Sequence, residues 1–217
     1  MISTNLTEVR NTLADGVCLV AVSKYHPVEA VEEAYEAGQR IFGESREQEL
    51  RVKYERLPKD IQWHFIGHLQ TNKVKYIAPY IAMIETVDSA RLMREIERQG
   101  ERCGRTIDIL LELHLAQEDT KSGMMPEECR QLLRDGEWRD MPHVRIRGIM
   151  MMASNTDDQE EIRREFCRAD DFFNEVKAEF FANNDCFSVK SYGMSHDYML
   201  AQQCGSNHVR VGSRIFG

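Results

Sequence analysis

One lysine and two short Gly–Ser segments are the residues of this chain whose types and positions suggest chemistry on a small molecule. Lys24 follows the apolar residues 18–23, and a partly desolvated lysine amine can form an imine with an aldehyde. The segments GMS at 193–195 and GS at 212–213 allow close backbone approach and supply hydroxyl donors, as a phosphate site requires. A ligand for both features carries an aldehyde and a phosphate, and pyridoxal 5′-phosphate (PLP) is such a molecule.

Lys24 and the Gly–Ser segments could also have ordinary structural roles. Lys24 could be a solvated lysine after a strand, and glycine and serine are common turn residues. An imine-forming lysine at a phosphate site also fits an aldolase that acts on a phosphosugar. Lys121, in the polar loop AQEDTKSG, is either a second anion contact or a solvated side chain.

Arg210 lies in the last apolar run of the chain, two residues before Gly212. A guanidinium keeps its proton in proteins, so a buried arginine needs an acceptor. Two acceptors are possible: a carboxylate such as that of Glu112, or the pyridine nitrogen of the cofactor. Arg145 and Arg147 are spaced by two residues, and we expect both to pair with acidic neighbours for a structural purpose.

Composition and charge argue against several classes of protein. The 217 residues include 28 basic and 36 acidic side chains, and a net charge of −8 disfavours nucleic-acid binding. No apolar run reaches the ~18–20 residues that a membrane span needs. His64 and His68 lack the acidic residue of a helical zinc site, so we expect no metal. The six cysteines are scattered without a CxxC pair, which is typical of a reduced, cytoplasmic protein.

Short apolar runs alternate with helical patterns along the whole chain. The spacing predicts helices between the runs, including one over 69–80 and one capped by Asp88. Strict alternation with eight strands predicts an α/β protein with a closed (β/α)8 TIM-type barrel, formed by one domain over residues 1–217. An open doubly wound sheet is the competing architecture. The predicted strands are 18–23, 40–43, 62–66, 81–87, 107–115, 144–150, 187–191 and 208–211.

Active sites of such barrels lie at the carboxyl ends of the strands, and phosphate is often bound after strands seven and eight. Lys24 and both Gly–Ser segments follow predicted strands, so the fold would bring them to one end. The last helix of an ideal barrel has too little sequence after the eighth strand. We expect it to be missing or replaced by a short N-terminal helix around residues 6–13.

Several segments, in order, closely resemble those of the pyridoxal-phosphate homeostasis proteins, relatives of the N-terminal barrel of alanine racemase. The likeness extends from about Leu6 to Gly217, and WHFIGHLQTNK is its most specific part. It implies a barrel of the type III PLP fold that holds the cofactor as an internal aldimine. The segments are AVSK, FGES, WHFIGHLQTNK, TKSG, RIRGIM, YGMSHD and VRVGSRIFG.

The resemblance also implies roles for single residues. Lys24 resembles the Schiff-base lysine, and Arg210 resembles the partner of the ring nitrogen. The chain departs from the common pattern at three positions, because Ser45 stands where many members have Asn, Tyr192 replaces Met and His196 replaces Asp. The positions that resemble the phosphate-binding ones are Ser191, Ser195, Gly212 and Ser213.

The function implied is binding and buffering of PLP in vitamin B6 homeostasis, with PLP-dependent apoenzymes as possible partners. We assign no catalytic residue. Racemases of this fold carry a second domain that supplies the opposing acid or base, and this chain ends at Gly217, so we expect little or no catalysis and a monomer. The alternative is a single-domain PLP-dependent amino-acid racemase.

Overall fold

Eight parallel strands close into a barrel in which each strand pairs with the next along the chain, and the last pairs with the first. The computed structural model describes residues 1–115 and 122–217. The predicted (β/α)8 barrel is confirmed, and the open sheet is not observed. The strands are β1 (Cys18–Val22), β2 (Ile41–Glu44), β3 (Gln62–Phe65), β4 (Met83–Val87), β5 (Ile107–Leu113), β6 (Val144–Met151), β7 (Val189–Met194) and β8 (His208–Val211).

Helices follow the strands and cover the outside of the barrel. Short 3-10 turns at Thr71–Lys73 and Glu137–Asp140 accompany them. The helix predicted over 69–80 is reduced to the first of these turns and the short α4, in agreement with Pro79 just beyond it. The helices are α1 (Ile2–Asn11), α2 (Val28–Glu36), α3 (Glu47–Arg56), α4 (Val74–Ile77), α5 (Ala90–Cys103), α6 (Pro126–Asp135), α7 (Gln159–Phe180), α8 (Tyr198–Gln203) and α9 (Ser213–Phe216).

The start of α5 differs by one residue from the prediction. Ser89, not Asp88, is the N-cap, and its Oγ accepts a hydrogen bond from the Leu92 amide at 3.4 Å. Asp88 instead accepts from the Ser89 hydroxyl at 3.0 Å, so the carboxylate holds the capping side chain in place. The prediction that Asp88 caps this helix was therefore wrong.

The N-terminal helix packs beside the short last helix, among the helices that surround the barrel. After β8 the chain forms only the four residues of α9, and α1 packs beside it. Leu6 and Val9 of α1 are buried, and the Asn5 side-chain amide donates to the Ile215 carbonyl at 3.0 Å. The predicted N-terminal helix is confirmed, with its start four residues earlier than expected.

Side chains inside the barrel form an apolar layer and, next to it, a polar one. Four buried residues make the apolar layer: Met83, Leu110, Met150 and Val189. Because side chains alternate along a strand, the residues two positions later face the same interior, nearer the carboxyl ends. Among them are Glu85, Glu112 and Ser191, all buried. A barrel interior is normally filled by apolar side chains, so this polar layer calls for an explanation.

The two arginines of β6 have the structural role predicted for them. Arg145 Nε and Arg147 Nη1 each lie 2.6 Å from a different carboxylate oxygen of Asp108 on β5. The two side chains thus tie neighbouring strands together through one acid.

Within the described ranges 1–115 and 122–217, no helix is both long enough and apolar enough to cross a membrane.

Candidate functional site

Lys24 lies two residues beyond β1, at the carboxyl end of the barrel, and is half-buried. The next residue, Tyr25, has a φ of 69°, which is rare for a residue other than glycine. Its amide donates to Glu49 Oε2 of α3 at 2.9 Å. The chain therefore turns sharply after Lys24 and is held to α3 at that turn.

A buried ion pair fixes the backbone directly before Lys24. Ser23 Oγ donates to Glu44 Oε1 at 2.6 Å, and Lys53 Nζ donates to the same oxygen at 2.6 Å and to the Ser23 carbonyl at 2.8 Å. Burial raises the pKa of Glu44, while the charge of Lys53 and its hydrogen bond oppose that rise. The contacts join the ends of β1 and β2 to α3, so the segment that carries Lys24 is rigid.

The ends of β7 and β8 meet through Ser195 and Gly212. The Gly212 amide donates to Ser195 Oγ at 3.0 Å. A Cβ at Gly212 would lie 3.0 Å from the Val22 carbonyl oxygen, so only glycine fits against the end of β1 without a shift. Ser213 is exposed and begins α9. The predicted phosphate corner is thus brought beside the strand that leads to Lys24.

The turn that presents Ser195 depends on a glycine and an aspartate. Gly193 has a φ of 84°, and a Cβ there would lie 2.6 Å from the Ala201 Cβ. The Asp197 carboxylate accepts from the Met194 amide at 2.5 Å. Burial raises the pKa of Asp197, and this hydrogen bond opposes the rise. These contacts explain why the sequence GMSHD turns at this point and leaves the Ser195 hydroxyl beside Gly212.

Arg210 is buried inside the barrel and donates to three acceptors. Its Nη1 donates to the Ser191 carbonyl at 2.7 Å and to Ser191 Oγ at 2.6 Å, and its Nη2 donates to the Met151 carbonyl at 2.8 Å. The ion-pair partner is Glu85, 3.7 Å away, rather than Glu112, the carboxylate suggested from the sequence. Burial lowers the pKa of this guanidinium, and the charge of Glu85 opposes that effect.

Ser191 lies in the polar layer of the barrel and takes no part in the hydrogen bond between Ser195 and Gly212. It is fully buried, and its hydroxyl donates to Glu85 Oε2 at 2.6 Å while accepting from Arg210. The hydroxyl proton is therefore already engaged by Glu85. A direct contact of Ser191 with phosphate stays a prediction.

Glu85 and His64 contact each other inside the barrel, whereas the sequence analysis did not name Glu85 and considered His64 only as a metal ligand. His64 Nδ1 and Glu85 Oε1 are 2.7 Å apart, and both residues are buried. With Ser191 and Arg210 they form one polar network across the barrel interior, which we call the Glu85 network. The sequence did contain a signal for this network. A single polar residue that faces the interior from an otherwise apolar strand needs a buried hydrogen-bond partner.

The remaining residues singled out in the sequence have ordinary surroundings. Ser45 packs tightly against Gly67, and Tyr192 is buried with its hydroxyl donating to the Ala169 carbonyl at 3.2 Å. His68 is exposed and lies 3.7 Å from the Asp88 carboxylate. No group of three or more potential metal ligands occurs among the described residues. Lys121 lies outside the described residues.

Comparison with known proteins places this barrel in a family. A sequence model described as "Alanine racemase, N-terminal domain" matches residues 1–217. The pyridoxal phosphate homeostasis protein of Schizosaccharomyces pombe is 38% identical over 93% of this chain and 84% of its own length. The protein of the same name from Aquifex aeolicus is 34% identical over 92% of this chain and 86% of its own length. The chain belongs to the alanine racemase N-terminal domain family and to the pyridoxal phosphate homeostasis proteins. The resemblance found in the sequence is confirmed.

Solved structures give the same result for the fold. PipY of Synechococcus elongatus, solved with PLP bound, has a TM-score of 0.92 and 34% identity, with all of both chains covered. The PLP-free structure of PipY has a TM-score of 0.94. Alanine racemase of Clostridium difficile shares the fold at 18% identity and a TM-score of 0.80, and this chain covers 59% of it.

Proposed function

We propose that this protein binds PLP and acts in PLP homeostasis, holding the cofactor through a Schiff base at Lys24. The observation that carries the proposal is the contact of Gly212 with Ser195 on one side and with the end of β1 on the other. This contact puts a small, donor-lined corner beside the strand end that leads to a half-buried lysine. PLP needs both features, and the relatives named above support the assignment.

The residues at this end of the barrel fit the cofactor. The Ser195 hydroxyl keeps its own proton for donation while it accepts from Gly212, and Ser213 offers a second hydroxyl beside it. Gly212 leaves no room for a side chain, so a phosphate would approach the backbone closely. We assign the phosphate to Ser195, Gly212 and Ser213. Ser191 contributes through its hydrogen bonds to Arg210 and Glu85.

Arg210 faces the ring nitrogen in this proposal and favours storage over catalysis. When bound, PLP supplies an electron-withdrawing ring, most strongly when its nitrogen is protonated. A guanidinium only donates hydrogen bonds, so the nitrogen opposite Arg210 would accept and remain unprotonated. With this arrangement we expect the bound cofactor to catalyse reactions of amino acids little or not at all.

The proposal includes four further features of the protein: its domain organisation, oligomeric state, location and partners. Residues 1–217 act as one PLP-binding domain, the protein is a monomer in the cytoplasm, and PLP-dependent apoenzymes receive the cofactor. All six cysteines are free thiols, in agreement with a reducing compartment.

The deciding experiment removes the amine at Lys24. Wild-type protein mixed with PLP should absorb at about 400–430 nm, and borohydride should then fix the cofactor to the peptide that contains Lys24. Lys24→Ala should lose this band and the fixed adduct. Lys177→Ala, which removes a half-buried lysine of α7, is the matched control and should retain both.

Two outcomes would overturn parts of the proposal. An adduct that persists in Lys24→Ala would place the Schiff base on another lysine. Racemisation of alanine by the PLP-loaded protein at about one turnover per second or faster would make the protein a racemase instead of a carrier.

A further inference from the structure

Two cysteines meet where the end of α8 packs against α7. The Sγ atoms of Cys167 and Cys204 are 3.6 Å apart, and Cys204 is the C-cap residue that directly follows α8. Theirs is the one sulfur–sulfur contact recorded among the six cysteines, all of which lie in the described ranges. A disulfide needs about 2.05 Å between the sulfurs, so side-chain rotation and a small approach of the helices would bring the pair to bonding distance.

The surroundings hold these two side chains toward each other. Cys204 Sγ also lies 3.9 Å from the Arg163 carbonyl, one turn before Cys167 on α7. Arg163 Nη2 donates to Gln203 Oε1 at 3.0 Å. A Cβ at Gly205 would come within 2.5 Å of Asp170 Oδ1, so the chain after Cys204 is pressed closely against α7. The contact between the two sulfurs is therefore part of a packed interface and not a chance approach of two free side chains.

The two thiols differ in a way that suits successive steps of oxidation. Cys167 is exposed and accessible to a small oxidant, whereas Cys204 is buried. Burial and the neighbouring Cys167 raise the pKa of the Cys204 thiol to about 11, so Cys204 is the less reactive of the two thiols toward an oxidant. The exposed sulfur would react first, and the buried one would complete the bond.

We propose that Cys167 and Cys204 form a reversible disulfide that fastens α8 to α7 when the protein meets hydrogen peroxide. The Cys167 thiolate attacks one peroxide oxygen, so that an S–O bond forms, the O–O bond breaks and hydroxide leaves to become water. Cys204 then attacks the Cys167 sulfur, an S–S bond forms, and the sulfenic hydroxyl leaves as water with the Cys204 proton. The two thiols lose two electrons in total, and one peroxide becomes two waters.

The disulfide would stiffen the segment that carries Ser195. Ser195 lies three residues before α8, and Cys204 directly follows this helix. The bond would therefore anchor the carboxyl end of α8 to α7, and with it the helix that Ser195 leads into. A cross-link between residues 37 positions apart also restricts the unfolded chain, which stabilises the fold. This proposal does not depend on which ligand the barrel binds.

The test treats the full-length protein with hydrogen peroxide, blocks free thiols with N-ethylmaleimide and maps the peptides by mass spectrometry. We expect a linked peptide pair containing Cys167 and Cys204 with two hydrogen atoms lost, its reversal by dithiothreitol, and a rise of several degrees in Tm on oxidation. Cys186→Ser removes the other exposed cysteine and should not change these results.

Variants of the pair distinguish the two steps. Cys167→Ser should leave Cys204 reduced, and Cys204→Ser should leave Cys167 as a sulfenic acid that dimedone labels. Recovery of wild-type Cys167 as a sulfinic acid with Cys204 still free would overturn the proposal. A dimer linked through two Cys167 residues would do the same.

Discussion

Two glutamates on neighbouring strands face the barrel interior, and their surroundings give their carboxyl groups opposite properties. Glu85 on β4 and Glu112 on β5 each follow a residue of the apolar layer by two positions, and their exposed fractions are 0% and 1%. Glu85 contacts His64, Ser191 and Arg210. Glu112 accepts from the Ser122 hydroxyl at 2.6 Å, and its other oxygen has no partner among the described residues.

The partners decide which carboxyl group ionises. Burial by itself would raise the pKa of Glu85, but the hydrogen bond and charge of His64, the charge of Arg210 and the Ser191 hydroxyl together lower it to about 2. For Glu112 burial prevails and raises the pKa. The Ser122 hydrogen bond and the charges of Arg210 and His68 oppose that rise, while the charge of Asp88 adds to it. Equal burial thus gives one acid that is held charged and one that resists ionisation.

The difference has a consequence for the site. A charged Glu85 holds Ser191 by a hydrogen bond and Arg210 by charge, and Ser191 and the Met151 carbonyl fix the guanidinium. Arg210 is therefore positioned before any cofactor arrives. Among the residues that the structure describes, Glu112 has only the Ser122 hydroxyl as a side-chain hydrogen-bond partner, and it makes no hydrogen bond to Ser191 or Arg210.

The largest loss of stability is expected for Glu85→Ala. The substitution would leave the Arg210 guanidinium buried without its ion-pair partner, and breaking a buried pair typically costs about 3–5 kcal/mol. Urea unfolding at neutral pH should show this loss in the free energy of unfolding. A loss below about 1 kcal/mol would mean that Glu85 is not the charge that compensates Arg210.

The pH dependence of stability should identify the same carboxylate. The pKa of Glu85 falls from 4.5 to about 2 on folding, so its contribution is present above pH 4.5 and is lost as the pH falls through about 2. This shift corresponds to roughly 3 kcal/mol. The difference in unfolding free energy between wild type and Glu85→Gln should shrink by that amount over this pH range. A constant difference would contradict the assignment, because Gln cannot titrate.

Most of the fold could be predicted from the sequence because buried strands have a strong local signal. The runs at 18–23 and 107–115 consist mostly of apolar residues and became β1 and β5. The seventh strand was predicted at 187–191 but is Val189–Met194, because Phe187 packs against Phe181 outside the sheet and the strand continues through Gly193. Boundaries such as this one depend on tertiary contacts that no local pattern contains.

The candidate site was predictable to the extent that its residues follow strands. Lys24, Ser195 and Gly212 all lie at strand ends, and barrel closure alone brings such ends together. The partnership of Glu85 with Ser191 was not predictable, because 106 residues separate them and their contact depends on strand register. For the same reason Glu112 was suggested as the partner of Arg210, although Glu85 has that position.

An intermediate effect is expected for Ser191→Ala. Its hydroxyl connects the Glu85 carboxylate to Arg210 in a fully buried place, so its loss should cost about 1–3 kcal/mol in urea unfolding. Ser122→Ala is the matched control, because it removes the hydroxyl that donates to Glu112 from an exposed residue where water can replace it. Equal losses in the two variants would show that the two glutamates are not held differently.

The smallest effect is expected for Glu112→Gln. Because the pKa of Glu112 is raised on folding, the protonated carboxyl stabilises the fold below its ordinary pKa of 4.5, and this contribution is lost as the pH rises through the folded value. Gln has nearly the same shape and cannot ionise, so the variant avoids the cost of a buried charge at higher pH. Its free energy of unfolding should stay within about 1 kcal/mol of the wild-type value near pH 4. Toward pH 8 the free energy of unfolding of the variant should rise relative to that of the wild type. Urea unfolding at both pH values measures this trend, and a variant that becomes relatively less stable as the pH rises would show that Glu112, like Glu85, is held as a stabilised anion.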